Sequence, residues 1–264
     1  MALGQSLTAD HVLRFQDLIP QANYQLATYA LAELFTRKDE AEIAELRKAG
    51  QAIDAVHAQV PKLLQPGRTE AEVAQELEEL ILQEHTVIDF VIVGSGPNGA
   101  NPHHSFSDRV LAEGEPVVVD IGGTLPSGYH SDCTRTYVVG GDVSKAPQDF
   151  QDAYAVLADA QAAARAAAHP GSTAAEIDAI TRKAIAAAGW GDNFVHRTGH
   201  GIGLSTHEEP FIMEGNDLTL EEGMAFSIEP GIYVEGKWGM RLEDIVVLTS
   251  DGYESLNLAP REVR

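Results

Sequence analysis

Asp120, Asp132, His200, Glu229 and Glu243 are the residues of this chain whose types and settings suit chemistry best. Each lies in a short apolar or glycine-rich stretch, where an unpaired charge is costly. Four carboxylates and one imidazole suffice to hold two divalent cations side by side. Cations held that way activate water for hydrolysis, so convergence of these five side chains would make the protein a hydrolase.

The local sequence around each residue supports that reading. Val117-Val118-Val119 leads into Asp120, and three β-branched residues put the carboxylate at the end of a buried strand. An aspartate there also commonly shapes a turn. Asp132 opens a β-like run across a hairpin from Asp120, and two carboxylates facing one point repel unless a cation lies between them. The glycines of Thr198-Gly199-His200-Gly201-Ile202-Gly203 argue against a helix and permit close backbone approach to His200. His57, His85 and His169 lack such a setting and read as ordinary core or surface histidines. His196 and His207 read as polar residues lining the same cleft as His200.

Glu229 closes the apolar run Met224-Ala225-Phe226-Ser227-Ile228 and is followed by Pro230-Gly231. In Met240-Arg241-Leu242-Glu243-Asp244, strand alternation puts Arg241 and Glu243 on one face and Asp244 on the other. A surface Arg–Glu pair is the ordinary alternative. One nitrogen with several carboxylate oxygens and no thiolate is a hard donor set, suited to manganese, with cobalt, iron or zinc as alternatives.

Val91-Ile92-Val93-Gly94-Ser95-Gly96-Pro97-Asn98-Gly99 matches the dinucleotide fingerprint GxGxxG after a strand-like run. That fingerprint needs a helix to begin at the turn. Pro97 removes a donor there, and Asn101-Pro102 interrupts the place where the helix should continue. The segment reads instead as a loop that presents His103 and His104.

Around these residues, apolar spacing predicts a helix over Asp39 to Val60 and another after Thr69, where Thr69 and Glu72 form a capping-box pattern. Strands are expected over Val87 to Val93, Val110 to Asp120 and Thr134 to Val139. The pattern then returns: Pro170-Gly171-Ser172-Thr173-Ala174-Ala175-Glu176-Ile177 echoes Pro66-Gly67-Arg68-Thr69-Glu70-Ala71-Glu72-Val73. Both copies follow a longer helical segment, Phe150 to Ala168 in the second case. Pro-Gly-x-Thr is a common way to end one helix and cap the next, but two helix–helix–strands units favour an internal duplication. A site at the seam would then draw ligands from both halves. Residues 1–37 fit neither copy and read as a helix, with or without a strand, leading into a unit over residues 38–264.

Bulk properties set the remaining bounds. The chain has 264 residues, 44% hydrophobic and 22% charged, which is a globular composition. A net charge of −22 argues against nucleic acid or an anionic membrane surface as the main partner. Cys133 is the only cysteine, so no intramolecular disulfide framework exists. The first ten residues lack a signal-peptide pattern, and no stretch is long enough to span a bilayer. A cytoplasmic location is expected.

Taken together, Gly199-His200-Gly201-Ile202-Gly203, His207-Glu208-Glu209-Pro210, Ile228-Glu229-Pro230-Gly231-Ile232-Tyr233 and Arg241-Leu242-Glu243-Asp244 resemble the creatinase, aminopeptidase P, prolidase and methionine aminopeptidase family of metallopeptidases. The resemblance runs from about Lys38 to the C-terminus. It implies an α+β "pita-bread" fold, with a pseudo-two-fold duplication around a curved antiparallel sheet. It also implies a dinuclear site of Asp120, Asp132, His200, Glu229 and Glu243, with Asp132 and Glu243 bridging the metals. By the same resemblance, His103 stabilises the tetrahedral intermediate and His207 contacts the substrate. Glu229 doubles as a proton shuttle, and His196 lines the cleft.

Arg241, two residues before the last Glu, and the Glu229–Tyr233 segment resemble the Xaa-Pro branch. The expected activity is therefore hydrolysis of the bond before proline at a peptide's N-terminus, by a hydroxide bridging two Mn2+ ions, in a homodimer. Aminopeptidase P action on longer peptides is the alternative. A catalytically silent peptide-binding module or a creatine-type amidinohydrolase is disfavoured by the intact ligand set. Two departures from the family pattern stand out: a hairpin between Asp120 and Asp132 about one residue longer than usual, and a short N-terminal segment that suggests the remnant of a larger domain.

Overall fold

The computed structural model describes residues 1–4, 7–27 and 31–264. Its elements run β1 (Ala2–Leu3), α1 (Ala9–Leu18), β2 (Gln25–Leu26), α2 (Ala32–Thr36), α3 (Glu40–His57), α4 (Val60–Leu63), α5 (Glu70–Ile81), β3 (Val87–Ser95), β4 (Pro116–Thr124) and β5 (Cys133–Val138). They continue with α6 (Gln148–Ala167), α7 (Ala174–Ala187), β6 (Gly199–Gly201), β7 (Glu208–Ile212), β8 (Ala225–Ile228), β9 (Gly231–Val234), β10 (Trp238–Arg241), β11 (Asp244–Thr249) and β12 (Gly252–Ser255). Two long helix–helix blocks each feed a set of antiparallel strands, an α+β arrangement.

The repeated Pro-Gly-x-Thr segments do the same work in both blocks. Gly67 and Gly171 take positive φ of 90° and 98°, a region that favours glycine. Thr69 with Glu72, and Thr173 with Glu176, close full capping boxes at the starts of α5 and α7. The backbone contacts repeat in the same order. Gly67 N–H donates to Leu111 O, Glu70 N–H to Arg109 O, and Leu111 N–H to Arg68 O. Their counterparts are Gly171 to Leu220, Ala174 to Leu218, and Leu220 to Ser172. Duplication thus extends beyond a shared capping motif to the long-range hydrogen bonds that tie each cap to the segment leading into β4 or β8.

Strands β3-β4-β5 form one sheet, and β12-β11-β8-β6-β7 a second. The curved layer is therefore divided, and its two parts meet where Glu243 N–H donates to Thr134 O at 3.2 Å. Helices cover one face of each part. In β4, Val117, Val119 and Ile121 pack with Ile53 and Val56 of α3 and Val73, Leu77 and Ile81 of α5. Phe226, Ile228, Val246 and Leu248 pack with Ala164 of α6 and Ile177 of α7. Each such side chain contributes about 1.5–3 kcal/mol when fully buried. Period-two alternation then turns Val118 and Asp120 to the uncovered face, toward the seam.

Several boundaries differ from the sequence expectation. The helix expected over Asp39 to Val60 stops at His57, and Pro61 lies within the separate short helix α4. Residues 110–115 make only a bridge from Val110 to Thr69 and a turn at Gly114, so β4 begins at Pro116 and continues past Asp120 to Thr124. Gly122 belongs to that strand because a Cβ there would come within 2.6 Å of the Phe90 ring and of Ser131 O. Packing across the hairpin, rather than a turn, requires that glycine. The GxGxxG stretch forms a 3-10 turn over Gly96–Ala100, with no helix following it. No helix among the described residues is long and apolar enough to cross a membrane.

Candidate metal centre

Asp120 sits opposite Thr134 in the β4–β5 ladder, and Asp132 lies just before β5 on the same hairpin. The register of Asp120 with Thr134 is kept at the Thr124–His130 bridge, so no bulge lies between them. His200 is the middle residue of β6, which pairs with β7 and β8. Gly199 is required there, since a Cβ would lie 1.9 Å from Ser227 O. Glu229 follows β8 and its N–H donates to Thr198 O at 2.7 Å. Glu243 stands between β10 and β11, and Asp244 points away from it to pair with Arg135 at 2.8 Å.

These elements bring all five expected side chains to one place. Ligand atoms of Asp132, His200 and Glu243 lie within 4.8 Å of one another. His200 Nε2 is 3.2 Å from Glu229 Oε1 and 3.7 Å from Asp132 Oδ2. Asp120 joins through Arg241, whose Nη2 donates to Asp120 Oδ2 and whose Nε lies 3.9 Å from Glu229 Oε2. His200 Nδ1 lies 3.1 Å from Gly201 O, which leaves Nε2 facing the carboxylates.

The electrostatics are those of a site with too much negative charge. Burial, then the charges of Glu243, Asp120 and Glu229, pushes Asp132 well above the usual carboxylate range. Burial, then Glu229 and Asp120, does the same to Glu243. Burial also raises Asp120, against the pull of Arg241. For Glu229 burial is again the largest influence and pushes upward, but the hydrogen bond with His200 and the Arg241 guanidinium help hold it below its ordinary value. Asp120 Oδ1 and Glu243 Oε1 are buried without any hydrogen-bond partner. Buried orphan oxygens cost free energy unless something positive meets them. This donor set fits divalent cations.

The remaining expected residues surround this cluster. His207 packs edge-on against His200, with ring centroids 4.1 Å apart. His196 Nδ1 is 2.6 Å from Arg197 O, and its Nε2 is 2.9 Å from the Tyr233 hydroxyl. Burial first of all lowers both His196 and His207 to about 4, so both imidazoles are neutral near pH 7. The Tyr233 hydroxyl therefore donates to His196 and accepts from Arg241 Nη1 at 2.9 Å. His103 is exposed on the loop that follows the 3-10 turn over Gly96–Ala100. Arg241 spends its donors inside the protein, on Asp120, Tyr233, Pro102 O and Thr134 Oγ1. His57 and His85 are buried structural groups, and His169 is exposed.

Two groups in the cluster had no assigned part in the sequence reading. Thr134 carries a hydroxyl to Glu243, and Tyr233 links His196 to Arg241. Thr134 could have been found as the cross-strand partner of Asp120. Tyr233 lay within a segment already singled out, but nothing local marks its hydroxyl as buried.

A divided antiparallel layer covered by duplicated helices, with a buried acidic cluster and one histidine at the seam, defines a pita-bread metallopeptidase. The chain belongs to metallopeptidase family M24, whose model matches residues 44–250. It is 55% identical to the probable dipeptidase PepE of Mycobacterium bovis over 99% of this chain and 69% of that protein. It is 40% identical to the Xaa-Pro dipeptidase of Lactobacillus delbrueckii subsp. lactis, over 98% of this chain and 70% of that one. The crystal structure of a recombinant prolidase from Thermococcus sibiricus superposes with a TM-score of 0.92 at 37% identity, over 98% of this chain and 70% of that one.

Proposed function

We propose that this metallopeptidase is a two-metal exopeptidase that cleaves the bond before proline at a peptide's N-terminus, chiefly in Xaa-Pro dipeptides. The observation that carries the proposal is the convergence of Asp120, Asp132, His200, Glu229 and Glu243, with two orphaned carboxylate oxygens among them. Similarity to proteins named Xaa-Pro dipeptidase and prolidase supports the substrate class. Those five side chains would hold the cations, most favourably Mn2+. When bound, the two cations would lower the pKa of water and polarise the scissile carbonyl.

The chain's own groups do the rest. Glu229, held ionised beside His200, is the proton carrier between water and the leaving imino group. His207, packed against His200 and neutral, is able to donate to an oxyanion, and the exposed His103 has the same part on the loop beyond Gly96–Ala100. His196 lines the cleft and is fixed in one tautomer by Arg197 O and Tyr233. Arg241 acts on substrate through what it holds, Asp120 and the Tyr233 hydroxyl, because its donors are already engaged.

The test is Mn-dependent release of free proline from Ala-Pro and Leu-Pro. Turnover of Xaa-Pro-Yaa peptides alone would move the assignment to aminopeptidase P chemistry. Two bound metals without turnover on any peptide would leave a binding module.

A further inference from the structure

The two helices that follow the Pro-Gly-x-Thr caps each bury one carboxylate. Glu70 is the first residue of α5, and Asp178 lies one turn further along α7. Their counterparts in the repeat are Ala174 and Ala74, so each copy carries one acid and one alanine at positions four apart on the covered face. All four are buried. Neither acid touches the metal cluster, yet both are saturated with hydrogen bonds.

Glu70 accepts from Ser95 N–H at 2.8 Å, Ser95 Oγ at 2.6 Å, His104 Nε2 at 2.8 Å, Ser107 Oγ at 2.7 Å and Asn98 Nδ2 at 3.1 Å. Those donors span the end of β3 and the whole loop that carries His103. Burial alone would raise this carboxyl, but the donors outweigh it and hold the group below its ordinary value, an ionised acceptor. Asp178 accepts from Thr198 N–H at 3.1 Å and Thr198 Oγ1 at 2.8 Å. It also pairs with Arg182 through Nε and Nη2, both at 2.9 Å. Arg182 in turn donates to His196 O at 3.0 Å and Phe194 O at 3.4 Å. Those contacts span the segment that carries His196 and leads into His200.

We propose that Glu70 and Asp178 are a pseudo-symmetric pair of positioning residues, each pinning to its helix the segment that brings histidines to one wall of the site. The proposal rests on the reading of His103, His196 and His200 as groups of the active site. Five donors on one anion and four on the other fix backbone as well as side chains. A charge-assisted hydrogen bond is worth about twice a neutral one, so these anchors hold the two polar segments in place, the second together with the buried Phe194. Duplication explains why there are two such anchors, and the exchange of acid and alanine between copies explains why their shared role is not visible as a repeated motif.

The test is hydrogen–deuterium exchange on the full chain without added metal, joined to steady-state kinetics on Ala-Pro with manganese. Glu70→Ala should speed exchange in residues 96–109 and leave 194–201 at the wild-type rate. Asp178→Ala should do the reverse. Each should lower kcat by about 10- to 100-fold with KM changed by less than about threefold, as expected for misplaced catalytic groups. Glu70→Gln and Asp178→Asn keep one acceptor oxygen, should recover part of kcat, and carry the exchange test if an alanine variant does not fold. Exchange that rises evenly over the whole chain, or that stays at the wild-type rate in the segment concerned, overturns the proposal. Wild-type protein without Xaa-Pro hydrolysis would instead defeat the functional reading, while the exchange pattern still decides the anchoring.

Discussion

Thr134 and Glu243 hold equivalent places in the two halves of the molecule and hydrogen-bond to each other across the seam. Val119 pairs with Arg135 in the first sheet as Ile228 pairs with Asp244 in the second, which makes Thr134 and Glu243 counterparts. Glu243 N–H donates to Thr134 O at 3.2 Å, and the Thr134 hydroxyl donates to Glu243 Oε2 at 2.7 Å. Arg135 and Asp244, the next pair of counterparts, close the same seam as a buried ion pair.

That contact orients one oxygen of Glu243 and leaves the other, Oε1, free for a cation. Thr134→Val should therefore weaken manganese binding by about 10- to 100-fold, the usual effect of losing a group that orients a ligand. Thr134→Ser should bind as the wild type does. Chelator competition distinguishes them, and equal affinities for Val and Thr would remove this role.

Metal uptake should release protons. Asp132 and Glu243 lie well above the ordinary carboxylate range and Asp120 above its own, burial being the largest cause each time. Carboxyls raised in the folded state hold protons that a cation must expel, so apparent affinity should rise with pH. The same sign means that the metal-free fold loses stability as pH climbs through these raised values, and that added metal restores it. Calorimetric titration in buffers of different ionisation enthalpy measures the release, and a heat independent of buffer would count against it.

Acid should act on stability in the opposite direction through His57. This ring is buried against Tyr137, its Nε2 2.9 Å from Cys133 O, and burial pushes its pKa down to about 3. An unfolded histidine titrates near 6.5, so protons favour the unfolded chain as pH falls from there toward about 3. Each such group contributes a slope of up to about 1.4 kcal/mol per pH unit in that window. Urea unfolding of His57→Gln at pH 7, 6 and 5 should show a shallower fall than the wild type, and parallel curves would refute the assignment.

Gly199→Ala should cost both stability and activity. The added methyl would lie 1.9 Å from Ser227 O, so β6 must withdraw from β8 and carry His200 with it. Overpacking of this kind costs about 1–3 kcal/mol, occasionally more. A lower Tm together with lost metal stoichiometry is the expected pair of results, and full metal content at wild-type Tm would contradict it.

Much of this molecule was legible before its structure. The capping boxes at Thr69 and Thr173, the β-branched approach to Asp120 and the glycines around His200 are local signals, and each stands where it was expected. Strand limits were less legible. Val110 looked like part of a strand but meets only Thr69 in a bridge, and Gly122 looked like a turn but lies in β4 under the Phe90 ring. Thr134, Tyr233, Glu70 and Asp178 were silent because nothing in their neighbours along the chain distinguishes an anchored polar group from an exposed one.

Side-chain type and short-range periodicity determined by themselves that this chain holds five hard donors in or beside strands of a duplicated α+β unit, since both are properties of adjacent residues. Tertiary structure alone decided which oxygens face one another and which are left without partners. The contacts responsible, such as Thr134 with Glu243 and Asp120 with Arg241, join residues more than a hundred positions apart. Their geometry depends on the register of two separate sheets and on how closely glycine lets the strands approach, neither of which is written in any one segment.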